Sequence, residues 1–233
     1  MKRNNKKPEI IFALVAITII GLGIFYFDSI KSLAAIIISK PTSTKVYVNR
    51  TPIDVLAQGL VLYHPFDGKY IRQAPTNSSS TDASENGNDG RFDSLYAANG
   101  TTLVGGKLGQ AVNFPIVSIT NSRIIATSTA SINDLTTMTV SAWVKPSVLG
   151  GQNSRGKILN KDNGTSVNPL SGWSFQEGSA GILFFSRAYT TTNMSRQTTT
   201  LLTLDQWNHV VATNDGTSNA TGTRIFINGV ESS

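Results

Sequence analysis

Five side chains that carry hard oxygen atoms lie within eight positions of one polar segment. They are Asp82, Ser84, Asn86, Asn88 and Asp89. Carboxylate, amide and hydroxyl oxygens are the ligands that Ca²⁺ prefers, so the spacing predicts a calcium site, which Asp67 or Asp215 could complete from a neighbouring loop. The alternative is an Asx-rich turn whose side chains cap their own backbone, because the bidentate glutamate that ends an EF-hand loop is missing.

Acid–base or nucleophilic chemistry finds little support in the sequence. His209 alternates with apolar residues, so we expect its ring to pack and to make one hydrogen bond, and His64 is interpreted in the same way. Retaining glycosidases need two carboxylates about 5 Å apart, which on a strand means acids two or four positions apart. Beyond residue 57 the glutamates are Glu85, Glu177 and Glu231, each in a predicted loop or beside a terminus. The sequence therefore predicts a protein that is not an enzyme.

Aromatic side chains are the other candidates for a binding site, because the CH groups of a sugar can stack on a ring face. Trp173 and Tyr189 lie near predicted loops and are the candidate ligand-binding residues. Trp143 and Trp207 lie within predicted strands, where a core position is expected.

Charge and composition limit the classes of partner. The net charge of +6 is carried by residues 1–50, whereas the remainder of the chain contains equal numbers of basic and acidic residues. A domain without a basic face lacks the electrostatic footprint of a nucleic-acid binder, so no nucleic-acid partner is expected. The absence of cysteine excludes disulfides and thiolate metal sites.

The amino-terminal segment has the pattern of a membrane anchor. Residues 10–27 are uncharged and apolar, and at 1.5 Å per residue they could cross about 27 Å of hydrocarbon. Four basic residues in segment 1–9 predict a cytoplasmic amino terminus, with the remainder of this single-pass membrane protein outside the cytoplasm. The alternative is a cleaved signal peptide ending near Ala34. Residues 28–56 are interpreted as a linker.

From residue 57 onward the hydrophobic pattern has a period of two. Met138 to Lys145 places Met138, Val140, Ala142 and Val144 on one face of a predicted strand. Further strands are predicted at Gly59 to Phe66, Gln110 to Phe114, Lys157 to Asn160, Gly172 to Gln176, Gly181 to Ser186 and Thr198 to Leu202. No helical stripe of three turns follows residue 60, so the fold class is all-β, a two-sheet antiparallel sandwich over residues 57–233.

The final thirty residues predict a hairpin. Two alternating segments, Trp207 to Thr213 and Arg224 to Asn228, are separated by a polar loop. Asn228 and Gly229 tolerate the positive φ angles of a type I′ turn, so the chain should fold back there.

The order of these segments resembles laminin-G-like, concanavalin A-like jelly-roll domains. The motifs are GLVLYHPFDG, DASENGNDG, GGKLGQAVNF, TMTVSAWVKPS, ILNKDN, GWSFQ, GILFFS, LDQWNHVVATNDG and RIFINGV, in that order between residues 57 and 233. The resemblance implies a jelly roll that recognises glycans or glycoproteins at cell surfaces, sometimes with calcium. Such domains usually continue beyond the final motif, which predicts a domain truncated at its carboxyl end and an exposed apolar edge around Leu60, Leu62 and Ile225 to Ile227.

Together these patterns predict a membrane-anchored extracytoplasmic recognition module that binds carbohydrate or a glycosylated surface partner without catalysing a reaction. A structural spacer domain without a ligand is the first alternative. A glycoside hydrolase on the same fold is the second and the less favoured.

Overall fold

The computed structural model describes residues 36–39, 58–73, 78–92, 101–114, 123–126, 129–133, 135–149, 156–162, 172–189 and 192–233. In chain order the strands are β1 (Ile36–Ser39), β2 (Leu60–His64), β3 (Ile71–Arg72), β4 (Ser79–Ser80), β5 (Gly90–Phe92), β6 (Thr102–Gly105), β7 (Gln110–Asn113), β8 (Ile124–Ala126), β9 (Met138–Val144), β10 (Lys157–Asp162), β11 (Gly172–Glu177), β12 (Leu183–Ala188), β13 (Asn193–Gln197), β14 (Asn208–Asn214), β15 (Thr223–Ile227) and β16 (Val230–Glu231). The helical turns are α1 (Ala130–Asn133) and the 3-10 turns Gly68–Tyr70 and Ala220–Gly222.

Two antiparallel sheets form the sandwich. The first has six strands in the order β16-β15-β14-β9-β1-β2, and the second has four in the order β10-β11-β12-β13. A smaller sheet, β3-β4-β5-β8, and the hairpin β6-β7 accompany them. The predicted all-β sandwich is confirmed, and its arrangement is consistent with a jelly roll.

The core lies between the two main sheets, where alternate residues of each strand meet. Val140 of β9, Val210 of β14 and Ile225 of β15 are buried on the inner face of the six-stranded sheet. Phe175 and Phe185 oppose them from β11 and β12. Each fully buried side chain of this size stabilises the fold by about 2 to 3 kcal/mol. Because alternate residues of a strand point to the same face, the two-residue period of the sequence places these side chains together in the core.

The carboxyl-terminal hairpin has the predicted geometry. Asn228 and Gly229 have φ angles of 51° and 83°, which are the positive values that a type I′ turn requires. The Asn228 Oδ1 atom accepts a hydrogen bond from the His209 backbone N–H at 2.9 Å. The returning residues form β16 against β15.

The predicted exposed apolar edge is wrong. Leu62, Ile225 and Ile227 are buried in the core. In the sheet, β15 lies between β14 and β16, and β2, the last strand, pairs with β1. The partner of β2 comes from the segment interpreted as a linker, because residues 36–39 pair antiparallel with both β2 and β9. Residues 28–56 therefore contribute a strand to the main sheet.

Two further predictions have different outcomes. The strand predicted at Thr198 to Leu202 is wrong: β13 ends at Gln197, and the Leu202 N–H donates to the Gly181 carbonyl as the chain turns. The predicted anchor at residues 10–27 lies outside the described residues. In the described part of the chain, no helix is long and apolar enough to cross a bilayer.

Candidate functional site

The polar segment around Asp82 is a turn held by its own side chains. Asp82 is buried, and its Oδ1 atom accepts hydrogen bonds from the backbone N–H groups of Tyr63 and Ser84, both at 2.9 Å. Its Oδ2 atom accepts from the Ser84 hydroxyl at 2.8 Å and from the Asn88 N–H at 3.0 Å. Four protein donors thus engage the two oxygens of one carboxylate.

Asn88 fastens the same turn to its neighbours. Its amide nitrogen donates to the Val61 carbonyl at 2.6 Å and to the Ser131 hydroxyl at 2.9 Å, and its carbonyl oxygen accepts from the Thr129 hydroxyl. Asn86 donates to the Leu60 carbonyl at 2.9 Å. The turn is therefore attached to the edge strand β2 and to the residues around α1.

These contacts correspond to the self-capping alternative, and the residues do not fit a calcium ion in this arrangement. Asp89 accepts a hydrogen bond from the Asp82 N–H at 2.8 Å rather than presenting both oxygens outward. Asp67, three residues after the end of β2, accepts from the Gln110 N–H at 3.0 Å. Asp215 follows β14, which lies three strands from β2 in the sheet, a lateral separation of about 14 Å between the two strands. No group of three or more acidic, histidine or cysteine residues converges within the described ranges, and calcium binding stays a prediction.

The two predicted aromatic ligands have different surroundings. Trp173 is only 5% exposed and stacks on Phe185 with ring centroids 6.4 Å apart, so neither ring face is free to meet a sugar. Tyr189 is half-buried, its hydroxyl donates to Asn214 Oδ1 at 3.2 Å, and the Arg187 guanidinium lies 5.2 Å from its ring centroid. Trp173 is therefore a core residue, whereas Tyr189 supports a polar network at one end of the sandwich.

That end, here named the threonine end, is where β9 begins, β14 ends and β15 begins. Thr139 pairs with Thr213 across β9 and β14, and Thr213 pairs with Arg224 across β14 and β15, so all three lie on the outer face. A depression of about 450 Å³ opens beside them. Its lining residues are Thr137, Met138, Thr139, Thr213, Asn214, Asp215, Thr221, Gly222 and Arg224.

Asp215 provides the carboxylate of this depression. Its Oδ1 atom accepts hydrogen bonds from the Thr217 N–H at 2.9 Å and from the Thr217 hydroxyl at 2.7 Å. The backbone N–H of Thr217, followed by its hydroxyl, lowers the pKa of Asp215, so the group is ionised at neutral pH. A Cβ atom on Gly222 would lie 2.2 Å from Asp215 Oδ1, which explains why glycine occupies that position.

Arg187 fixes the framework behind the depression. Its guanidinium donates to the Thr136 carbonyl at 2.8 Å, to Asn214 Oδ1 at 2.8 Å and to the Leu135 carbonyl. Because Arg187 lies on β12 of the second sheet and Asn214 on β14 of the first, these bonds join the two sheets. The side-chain amide of Asn214 in turn donates a hydrogen bond to the Thr223 hydroxyl at 2.9 Å. The threonine end is thus pre-organised.

The two histidines have structural roles. The His209 Nε2 atom is 2.9 Å from the Ser141 hydroxyl and its ring lies 5.0 Å from that of Trp143, as the alternation of β14 predicted. His64 is buried, with Nδ1 at 3.0 Å from the Ser80 hydroxyl. Burial lowers the pKa of both, so both are neutral at pH 7.

The comparison with known families agrees with the sheet arrangement. Residues 120–233 match the concanavalin A-like lectin/glucanases superfamily. Strands β8 to β16 and every residue that lines the depression fall within the matched part. Comparison with curated proteins and with solved structures gave no match. The concanavalin A-like superfamily contains both binding proteins and enzymes, so the match supports the fold and leaves function to the residues of the site.

Sequence reasoning missed the threonine end as a site. Asp215 was considered only as an extra calcium ligand, and the threonines looked like ordinary outward strand positions. The signal that could have found the site is the sequence Asn214-Asp215-Gly216 directly after a strand, with threonines at alternate positions on the neighbouring strands.

Proposed function

We propose that this protein is a non-catalytic recognition module that binds carbohydrate, free or on a glycosylated surface partner, at its threonine end. The observation that carries the proposal is the depression lined by four threonines, Asp215 and Arg224. Sugar hydroxyls need both donors and acceptors. Threonine hydroxyls supply both, an ionised aspartate accepts several hydrogen bonds, and arginine donates several.

The lining also supports modest affinity. None of the described residues that line the depression is aromatic, so binding would depend on hydrogen bonds without the contribution of ring stacking. Each hydrogen bond exchanges with water and contributes only about 0.5 to 1.5 kcal/mol, or somewhat more to a charged group. We therefore expect weak binding of single sugars and an advantage for ligands that present several copies.

The same lining supports binding rather than hydrolysis. Glycoside hydrolysis uses two carboxyl groups on either side of the scissile bond. Asp215 is the only carboxylate among the described residues that line the depression. Glu177 is buried elsewhere, where its Oε1 atom accepts from the Gly181 N–H at 3.1 Å.

The proposed location is a membrane surface outside the cytoplasm. It is supported by the apolar sequence of residues 10–27 and by the basic residues that precede it. Alkaline carbonate extraction of membranes from expressing cells should leave the intact chain in the membrane fraction. Release of the intact chain would contradict the anchor without bearing on carbohydrate binding.

A glycan array probed with the full chain in detergent tests the binding proposal. We expect a set of glycans to bind the wild type, with or without calcium, and signals at least tenfold weaker for Asp215→Asn, because a charge-assisted acceptor is lost. Asp205→Asn is the matched control, since Asp205 is an exposed aspartate at the opposite end with a φ of 56°, which asparagine tolerates. Wild-type protein that bound no glycan would contradict the proposal.

The rival function is a structural spacer. Its supporting observation is the Asp82 turn, where the carboxylate and the amides are engaged by protein partners. A spacer would bind no glycan on the array, and Asp215→Asn would behave as the wild type in every binding assay.

A further inference from the structure

The outer face of the six-stranded sheet continues beyond the depression along β9 and β14. In its next row, Ser141 pairs with Val211 and Val211 pairs with Phe226. Two residues farther along β9, Trp143 pairs with His209. All five side chains are half-buried and none belongs to the core cluster. The expected core position of Trp143 is therefore wrong, and this face presents a band of apolar and aromatic side chains beside the depression.

Trp143 and His209 form an aromatic pair at the far end of this band. Their ring centroids lie 5.0 Å apart, with an angle of 34° between the ring planes. The His209 Nε2 atom is 2.9 Å from the Ser141 hydroxyl. No described residue hydrogen-bonds to the His209 Nδ1 atom or to the indole N–H of Trp143. The pair thus combines ring surface with one hydrogen-bonding atom on each ring, and a sugar can use both.

Lys107 lies beside this pair, in the turn between β6 and β7. Its side chain is exposed, and its Nζ atom is 5.5 Å from the Trp143 ring centroid. A lysine ammonium is carried on a flexible four-carbon stem and has three N–H donors. A sugar on the indole could therefore move the ammonium aside or donate its hydroxyl oxygen as an acceptor to it.

Distance decides which ligands can reach both the depression and the aromatic pair. Thr139 and Trp143 are four residues apart on β9, which at about 3.4 Å per residue is a distance of about 14 Å. One sugar ring is no larger than an aromatic side chain and cannot cover that distance. A chain of several linked sugars can, and its middle units would lie over Ser141, Val211 and Phe226.

We propose that the glycan bound at the threonine end is an extended oligosaccharide whose chain runs along the outer face from the depression to Trp143 and His209. This inference rests on the proposed function and adds a second subsite to it. Hydrogen bonds in the depression hold one end of the chain, and the indole and imidazole rings hold the other. Because both subsites lie on the same two strands, binding at one brings the rest of the chain to the other at high local concentration.

A length series of oligosaccharides tests the second subsite. The full chain in detergent is applied to an array printed with chains of two, four and six sugar units from glucans, mannans, galactans and chitin. In each polymer class that binds, we expect the six-unit chain to bind about tenfold more tightly than the two-unit chain, because only the longer chain reaches Trp143. Equal affinity for the two lengths would overturn this inference and leave the proposed function intact. Absence of binding at every length would contradict both.

Trp143→Ala separates the subsite from any general advantage of a longer chain. We expect the ratio of six-unit to two-unit affinity to fall to about one in this variant. Trp143→Phe keeps a ring and should retain part of the ratio. Asp215→Asn is the matched control, because it should weaken binding of both lengths and leave the ratio as in the wild type. A ratio unchanged in Trp143→Ala would overturn the inference.

Fluorine NMR of the full chain labelled with 5-fluorotryptophan reports on the ring in the wild-type protein. The chain contains three tryptophans, and the spectrum of Trp143→Phe assigns the Trp143 resonance. We expect a bound six-unit chain to shift this resonance and a bound two-unit chain to leave it in place. The resonance of Trp173, which is buried in the core, should not move with either length. A Trp143 resonance unmoved by a bound six-unit chain would overturn the second subsite.

Discussion

The two ends of this sandwich are built from the same strands but carry opposite chemistry. At the threonine end, hydroxyl groups, Asp215 and Arg224 line a depression, and Arg187 joins the two sheets behind it. At the opposite end, here named the aliphatic end, Val148, Leu201 and Leu204 are exposed in loops and Val230 is exposed at the start of β16. Backbone hydrogen bonds join these segments. One end is a polar, restrained surface, and the other carries exposed aliphatic side chains.

This difference shows how an antiparallel sandwich can carry different chemistry at its two ends. The inner faces of its strands are occupied by the core, which leaves the loops at the two ends free to differ. Asn208 begins β14 and Thr213 lies near its end, so these two residues of one strand lie toward opposite ends of the sandwich. Changes at one end should therefore leave the other end intact.

The largest effect is expected from Arg187→Ala, which removes the link between the sheets at the threonine end. The variant leaves the Leu135 and Thr136 carbonyls and Asn214 Oδ1 without their charged donor. We expect the free energy of unfolding to fall by about 3 kcal/mol in urea titrations. Arg224→Ala is the control: its side chain is 63% exposed and 3.7 Å from Glu231, so its loss should cost less than about 0.5 kcal/mol. Equal effects of the two variants would contradict the assigned role of Arg187.

A smaller effect is expected from Asp82→Ala in the turn beside β2. Four donors lose their acceptor, and relaxation of the loop and water should limit the loss to about 2 kcal/mol. Asn86→Ala in the same turn removes an exposed amide and should cost less.

The wild-type unfolding midpoint should be the same in calcium and in EDTA. A midpoint several degrees higher in calcium, lost in Asp82→Ala, would instead support the calcium prediction.

The smallest effect is the dependence of stability on pH through the buried histidines. Burial lowers the pKa of His64 and of His209 in the folded state. Below the ordinary histidine pKa of about 6.5 the unfolded chain binds more protons than the folded chain, so stability is complete above that pH and is lost as pH falls. The loss is at most about 1.4 kcal/mol per histidine for each pH unit until the folded-state pKa is reached. His64→Gln should flatten the curve of unfolding free energy against pH, and an unchanged slope would contradict the assignment.

The sequence predicted the strands whose faces differ in polarity and missed the features that depend on distant contacts. Alternation in Met138 to Lys145 and the Asn228-Gly229 turn are local signals, and both elements formed as expected. Residues 36–39 gave no such signal, because an apolar segment of that length is ambiguous until β2 and β9 provide partners. The wrongly predicted apolar edge followed from the same omission.

The candidate site was less predictable than the fold for a related reason. Trp173 lies beside a loop in the sequence, but its position on β11 turns its ring toward Phe185 and into the core. The role of Arg187 depends on carbonyl groups about fifty positions earlier in the chain, which no local pattern reveals. Asp215 was visible as an acidic loop residue, but its place in one depression with Thr137 and Thr139 depends on the register of the six-stranded sheet.

Hydrogen–deuterium exchange of the full chain, with and without a glycan identified on the array, tests whether the threonine end is the binding site. If the threonine end binds the glycan, amide exchange should slow in peptides covering residues 136–139 and 213–224, where the depression is lined. Peptides covering residues 146–149 and 199–206 at the aliphatic end should exchange at unchanged rates. Slower exchange at the aliphatic end, with no change around Asp215, would contradict glycan binding at the threonine end.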